Sequence, residues 1–140
     1  MAVPVLLPAA MDAERQLARL VALARDDREV LAVILFGSRA RGDDHAGSDV
    51  DVCLVLGPGR RDASAIGHIL LAYASAVDLD VQVFERLPLY VRRRVLKEGR
   101  VLFVRDEDAL YDVAFRMVRA YESFRPRYQA YLAEVARGGS

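Results

Sequence analysis

The chain has 140 residues, enough for one domain with a real core but short for an enzyme that carries its own substrate-binding module. Its 20 basic and 20 acidic side chains cancel, so the net charge gives no reason to expect long-range attraction to nucleic acid or an anionic membrane. A hydrophobic fraction of 54% marks a folded protein, and with no apolar run of about 18 residues a membrane span is not expected.

Val3–Ala10 is apolar but holds two prolines and has no basic stretch before it, which argues against a secretory signal. Cys53 is the single cysteine, so no internal disulfide can form, and a cytoplasmic location is expected.

From about Asp12 to Asp27, Leu17, Leu20, Val21 and Ala24 recur at helical spacing, which predicts an amphipathic helix. Val30–Phe36 is a continuous, β-branched apolar run stopped by Gly37, the pattern of a strand buried on both faces. Asp49–Leu56 reads as a second strand closed by Gly57-Pro58-Gly59, and Asp62–Ala76 as a helix carrying Ile66, Ile69, Leu70 and Tyr73. A third strand is expected at about Leu79–Phe84, and a helix from Pro88 to Glu98. Gly99 then stops that helix before a fourth strand, Arg100–Val104. Asp106 or Asp108 can cap a long final helical region that Pro126 must kink or split. Strands interleaved with helices imply an α+β, or α/β sandwich, fold: a mixed four-stranded sheet flanked by helices, with no internal repeat.

The connection between the first two strands, Gly37-Ser38-Arg39-Ala40-Arg41-Gly42-Asp43-Asp44-His45-Ala46-Gly47-Ser48-Asp49-Val50-Asp51, is unlike an ordinary surface loop. Gly37 and Ser38 leave a buried strand and are expected to open a short helix, whose unpaired amide hydrogens suit a phosphate oxygen. Asp49 and Asp51 lie two apart on a strand, so both carboxylates leave one face with Cα atoms about 6–7 Å apart. Two negative charges beside an apolar strand call for a cation, and an oxygen donor set that leaves room for phosphate favours Mg²⁺.

The Gly37-Ser38…Gly42 turn followed by Asp49-Val50-Asp51 resembles the active-site signature of the DNA polymerase beta nucleotidyltransferase superfamily. Within it the chain is similar to the minimal nucleotidyltransferases (MNT) encoded beside HEPN partners, and the similarity extends to Glu98–Phe103 and Phe124-Arg125-Pro126. That resemblance implies a single minimal nucleotidyltransferase domain over residues 1–136, leaving 137–140 as a disordered tail. It also implies a third carboxylate on a neighbouring strand. Asp78 and Asp80 are both candidates, and alternation along a strand does not separate them. Asp80 is preferred, because Asp80-Val81-Gln82-Val83-Phe84 followed by Pro88 is similar to the family's third-strand pattern.

By the same resemblance, Asp49, Asp51 and Asp80 are the catalytic and metal-binding set for two Mg²⁺ ions. Gly37, Ser38, Arg39, Arg41 and Ser48 bind the nucleotide, with ATP as substrate. The implied acceptor is a tyrosine hydroxyl of a HEPN ribonuclease toxin, which would make the chain an adenylylating antitoxin in a hetero-oligomer. The alternatives are an antitoxin that acts by binding alone and a transferase for a small hydroxyl compound such as an aminoglycoside.

Other features carry plainer readings. His45 is a lone loop histidine, His68 sits on a helix among isoleucines, and Cys53 among valines and leucines is expected to be a small core hydrophobe. Arg92, Arg93, Arg94 and Lys97 form a basic cluster expected to be a solvated face. Tyr111, Phe115, Tyr121, Phe124, Tyr128 and Tyr131 divide between core packing and a partner surface.

Overall fold

The structure, a computed structural model, describes residues 8–37 and 50–138. Helix α1 (Pro8–Arg25) buries Ala13, Leu20 and Ala24, with Leu17 packed beside them, at intervals of three and four that return to one helical face. It starts earlier than the expected Asp12. A proline at the first helical position lacks only an N–H that has no intrahelical partner there.

Strands β1 (Val30–Phe36), β2 (Asp51–Leu56), β3 (Asp80–Val83) and β4 (Arg100–Val104) form one sheet in the order β3-β2-β1-β4. β1 runs antiparallel to both β2 and β4, while β2 and β3 are parallel, so the sheet is mixed as the sequence predicts. Helix α2 (Ala63–Ala76) supplies the crossover that a parallel pair requires, and Asp62 caps it by accepting the Ala65 N–H at 2.8 Å.

Period-two alternation divides the sheet between two cores. Val33, Val52, Leu54, Val81 and Val83 pack with Leu20, Ala24 and Tyr73 on the α1/α2 side. Ile34, Cys53 and Val55 pack on the other side with Phe84, Val95 of helix α3 (Leu89–Glu98) and Met117 of helix α4 (Glu107–Ala136). Because both faces of β1 and β2 are covered, their sequences read as continuous apolar runs rather than alternating ones.

β3 is shorter than expected at both ends. Leu79 lies in a bend, and Phe84 opens a 3-10 turn (Phe84–Arg86) closed by the Leu87 N–H on the Phe84 carbonyl at 3.1 Å, which brings the Phe84 ring into the core. Pro88 precedes α3 as its N-cap. Gly99 ends α3 with its N–H on the Val95 carbonyl at 2.9 Å. A methyl group there would strike that same carbonyl and stand 2.5 Å from Ile34 Cγ2, so the passage from α3 into β4 beside β1 requires glycine.

Asp106, rather than Asp108, caps α4 through the Ala109 N–H. The helix is continuous through Pro126, so of the expected kink or split the split does not occur. The hydrogen bond lost is the one to the Glu122 carbonyl. Glu122, Ser123, Pro126 and Arg127 are all exposed, so water can reach that carbonyl. Arg137 and Gly138 close α4, with Arg137 pairing to Glu134 at 2.7 Å; Gly139 and Ser140 lie outside the described residues. Among the described residues no helix is long and apolar enough to cross a membrane.

Candidate active site

The end of β1 and the beginnings of β2 and β3 meet at one edge of the sheet. Phe36 pairs with Asp51 across β1 and β2, and Asp51 pairs with Asp80 across β2 and β3. Neighbouring strands lie about 4.8 Å apart, so Asp51 and Asp80 are side by side and project to the same face. The Asp80 N–H bonds to the Val50 carbonyl at 3.1 Å, which fixes this register at its first residue. Asp51 is half-buried and Asp80 exposed, so the pair spans the boundary between the core and open solvent.

Gly37, directly after β1, has φ +82°. A Cβ built on it would stand 2.6 Å from Asp51 Oδ2, closer than any side chain tolerates. The left-handed backbone favours glycine here, and any side chain would also push the Asp51 carboxylate aside. The chain leaves β1 at Gly37 against the Asp51 side chain.

Asp78 lies in the bend before β3, with its backbone N–H on Gln16 Oε1 at 3.0 Å, and stands opposite no residue of β2. Of the two candidates that spacing left open, Asp80 is the one that faces Asp51. Gln82, the next residue on the Asp80 side of β3, donates its amide to Asp80 Oδ1 at 2.9 Å. The sequence reading gave Gln82 no role; the only signal for it was its position two residues past Asp80.

Cys53 shares the Asp51 face but is fully buried in the α3/α4 core. Burial, and secondarily the nearby Glu85, push its thiol far above the ordinary range, so no thiolate is available for nucleophilic chemistry. The basic cluster is only partly a solvated face. Arg92 donates to the Leu87 carbonyl at 2.7 Å and Arg93 lies over the Tyr121 ring, whereas Arg94 reaches only Glu98, at 4.0 Å. Among the α4 aromatics, Tyr121 packs against the core, while Tyr111, Phe115 and Tyr131 are exposed.

The described donors suit a hard divalent cation. Two adjacent carboxylates repel each other, and a cation bound to both removes that repulsion while leaving coordination positions for phosphate. Among the described residues no group of three or more acidic, histidine or cysteine side chains gathers. Asp49, Ser38, Arg39, Arg41, Ser48 and His45 all lie outside the described residues, as does the helix expected to begin at Ser38.

Residues 19–108 match the family model of the polymerase beta nucleotidyltransferases, more than half of the chain and including Gly37, Asp51 and Asp80. The chain belongs to that family. As a polymerase beta nucleotidyltransferase it has two curated relatives of note. A Methanocaldococcus jannaschii protein, provisionally named a protein adenylyltransferase, is 31% identical over 54% of this chain and 57% of its own length, so the match spans little more than half of that relative. Protein adenylyltransferase MntA of Shewanella oneidensis is 28% identical over 84% of this chain and 85% of its own. A solved structure of a tri-AMPylated Shewanella oneidensis HEPN toxin in complex with MNT antitoxin contains a chain that superposes with a TM-score of 0.60. The likeness covers 88% of this chain and 95% of that one at 20% identity, which establishes the shared fold.

Proposed function

We propose that this nucleotidyltransferase transfers AMP from ATP, with Mg²⁺, to a tyrosine hydroxyl of a cognate HEPN ribonuclease toxin and so acts as its antitoxin. The observation that carries the reading is the Asp51–Asp80 pair, abreast on β2 and β3 with Gly37 turned against Asp51. Support for the acceptor comes from the name of the Shewanella relative and from the AMPylated toxin in the structurally similar complex.

In this reading Asp49, Asp51 and Asp80 hold the metal ions. When bound, Mg²⁺ supplies charge neutralisation on the phosphate oxygens and lowers the pKa of a hydroxyl. Gly37 and Ser38 cradle the triphosphate, with Arg39, Arg41 and Ser48 as further donors to its oxygens. Asp80, the more exposed carboxylate, accepts the proton of the acceptor hydroxyl. The hydroxyl oxygen then forms a bond to the α-phosphorus, the bond from that phosphorus to the bridging oxygen breaks, and pyrophosphate leaves with the electron pair. Alignment and charge placement account for most of the catalysis in such transfers, which fits a domain this small.

Intact-mass and peptide mass spectrometry of a HEPN partner incubated with the chain, ATP and Mg²⁺ tests the proposal. The expected result is a mass increase in whole AMP units mapped to tyrosine. Tight binding with no added mass would replace the proposal with neutralisation by occlusion.

Gly37→Ala probes the same site from its backbone side. The added methyl must displace the Asp51 carboxylate and adopt a left-handed backbone, at a cost of roughly 1–2 kcal/mol. The variant is expected to fold, to melt a few degrees lower and to lose at least about tenfold in transfer rate, because the displaced group is a proposed metal ligand. Melting curves and initial rates on one preparation check both parts.

A further inference from the structure

We infer that Gln82 is a positioning residue, whose side-chain amide holds Asp80 for metal binding and proton transfer; this rests on the reading of Asp80 given above. Gln82 Nε2 donates to Asp80 Oδ1 at 2.9 Å, and the two residues occupy successive positions on one face of β3. β3 is an edge strand and Asp80 is its first residue, exposed to solvent. A carboxylate there has several open rotamers, and each turnover would otherwise cost the entropy of ordering it.

The Gln82 environment points the same way. Its partner on β2 is Cys53, fully buried, and its neighbours Val81 and Val83 are buried on the opposite face. Asp80 is thus the polar partner that takes this amide. The donor type matters as well. A lysine or arginine would orient Asp80 equally well but would neutralise it and compete with a cation. A neutral amide fixes one oxygen, keeps the full negative charge and leaves the second oxygen for the ligand.

The test compares the full chain with Gln82→Met, which keeps length and loses the donor, and with Asp80→Asn. Mn²⁺ binding is measured by electron paramagnetic resonance in the presence of α,β-methylene ATP, alongside melting temperature and AMP transfer to the partner. Gln82→Met is expected to weaken Mn²⁺ binding roughly tenfold and to slow transfer by a similar factor. KM for ATP and the melting temperature should be close to wild type. If Gln82→Met matches wild type in Mn²⁺ binding while Asp80→Asn loses it, the positioning role is overturned and the reading of Asp80 stands. If Asp80→Asn keeps both Mn²⁺ binding and transfer, the reading of Asp80 fails and this inference with it. A fall in melting temperature that accounts for the lost activity of Gln82→Met would assign the residue to packing instead.

Discussion

Asp51→Asn is expected to lower AMP transfer by at least a hundredfold while leaving the melting temperature within a few degrees of wild type. The substitution keeps the shape of a half-buried side chain that packs against Gly37 and exchanges a charged oxygen for a neutral amide, a much weaker ligand for Mg²⁺ that does not offset its charge. Asp80→Asn should cost a similar factor, since the two carboxylates sit opposite each other and act as a unit. The double variant should be little worse than either single one, as groups that share one task lose it together. Initial rates measured over a Mg²⁺ titration, paired with melting curves in chelator, separate this outcome from a folding defect. A large fall in melting temperature with activity lost in proportion would instead make the pair structural.

The largest effect on stability is expected at Arg105, far from the carboxylate pair. Its guanidinium donates to the carbonyls of Ala24 at 2.7 Å, Val30 and Arg25 at 3.0 Å and Asp27 at 3.1 Å, and it lies over the Phe103 ring at 5.2 Å. One side chain thereby adds a second donor to the Ala24 and Asp27 carbonyls, which already accept the Asp27 and Val30 N–H groups, and ties the end of α1 to β1 and β4. The Tyr73 hydroxyl reinforces the junction by donating to Asp27 Oδ2 at 2.8 Å; burial, and then Asp27, hold that phenol protonated well above its usual range. Arg105→Ala removes four hydrogen bonds at once, two of them part-buried, together with the packing on Phe103, at about 2–3 kcal/mol, or a melting temperature lower by roughly 6–12 °C. Arg105→Lys should recover only part of this, because a single ammonium lacks the two separate nitrogens that reach Val30 and the end of α1 together. Thermal melts of both variants decide it. A loss under about 0.5 kcal/mol in Arg105→Ala would show that water replaces these bonds at no cost.

Much of the architecture was legible in the sequence, for identifiable reasons. β1 and β2 are covered on both faces, so Val30–Phe36 and the run through Leu56 carried their own signal in uninterrupted apolar residues. Gly99 as a helix stop was readable because that position needs a particular residue, whereas the choice of Asp106 over Asp108 as the α4 cap came from the structure. Pairing was harder to see. Asp78 and Asp80 differ only in which of them β2 meets, and that is decided by strand register, a property of two segments at once. Arg105 was missed for the same reason: its four acceptors lie some 75 to 81 residues earlier in the chain. Pro126 does not split α4, because one lost bond to an exposed carbonyl is not enough to end a helix of this length. Gln82 had no signal beyond its place two residues after Asp80.

The most direct test of the carboxylate site is a crystal structure of the chain with Mn²⁺ and α,β-methylene ATP, with the metal located by its anomalous scattering. The account predicts anomalous peaks bonded to carboxylate oxygens of both Asp51 and Asp80, with the triphosphate beside Gly37. Nucleotide bound with no metal on either carboxylate, or metal held at another part of the sheet, would contradict it.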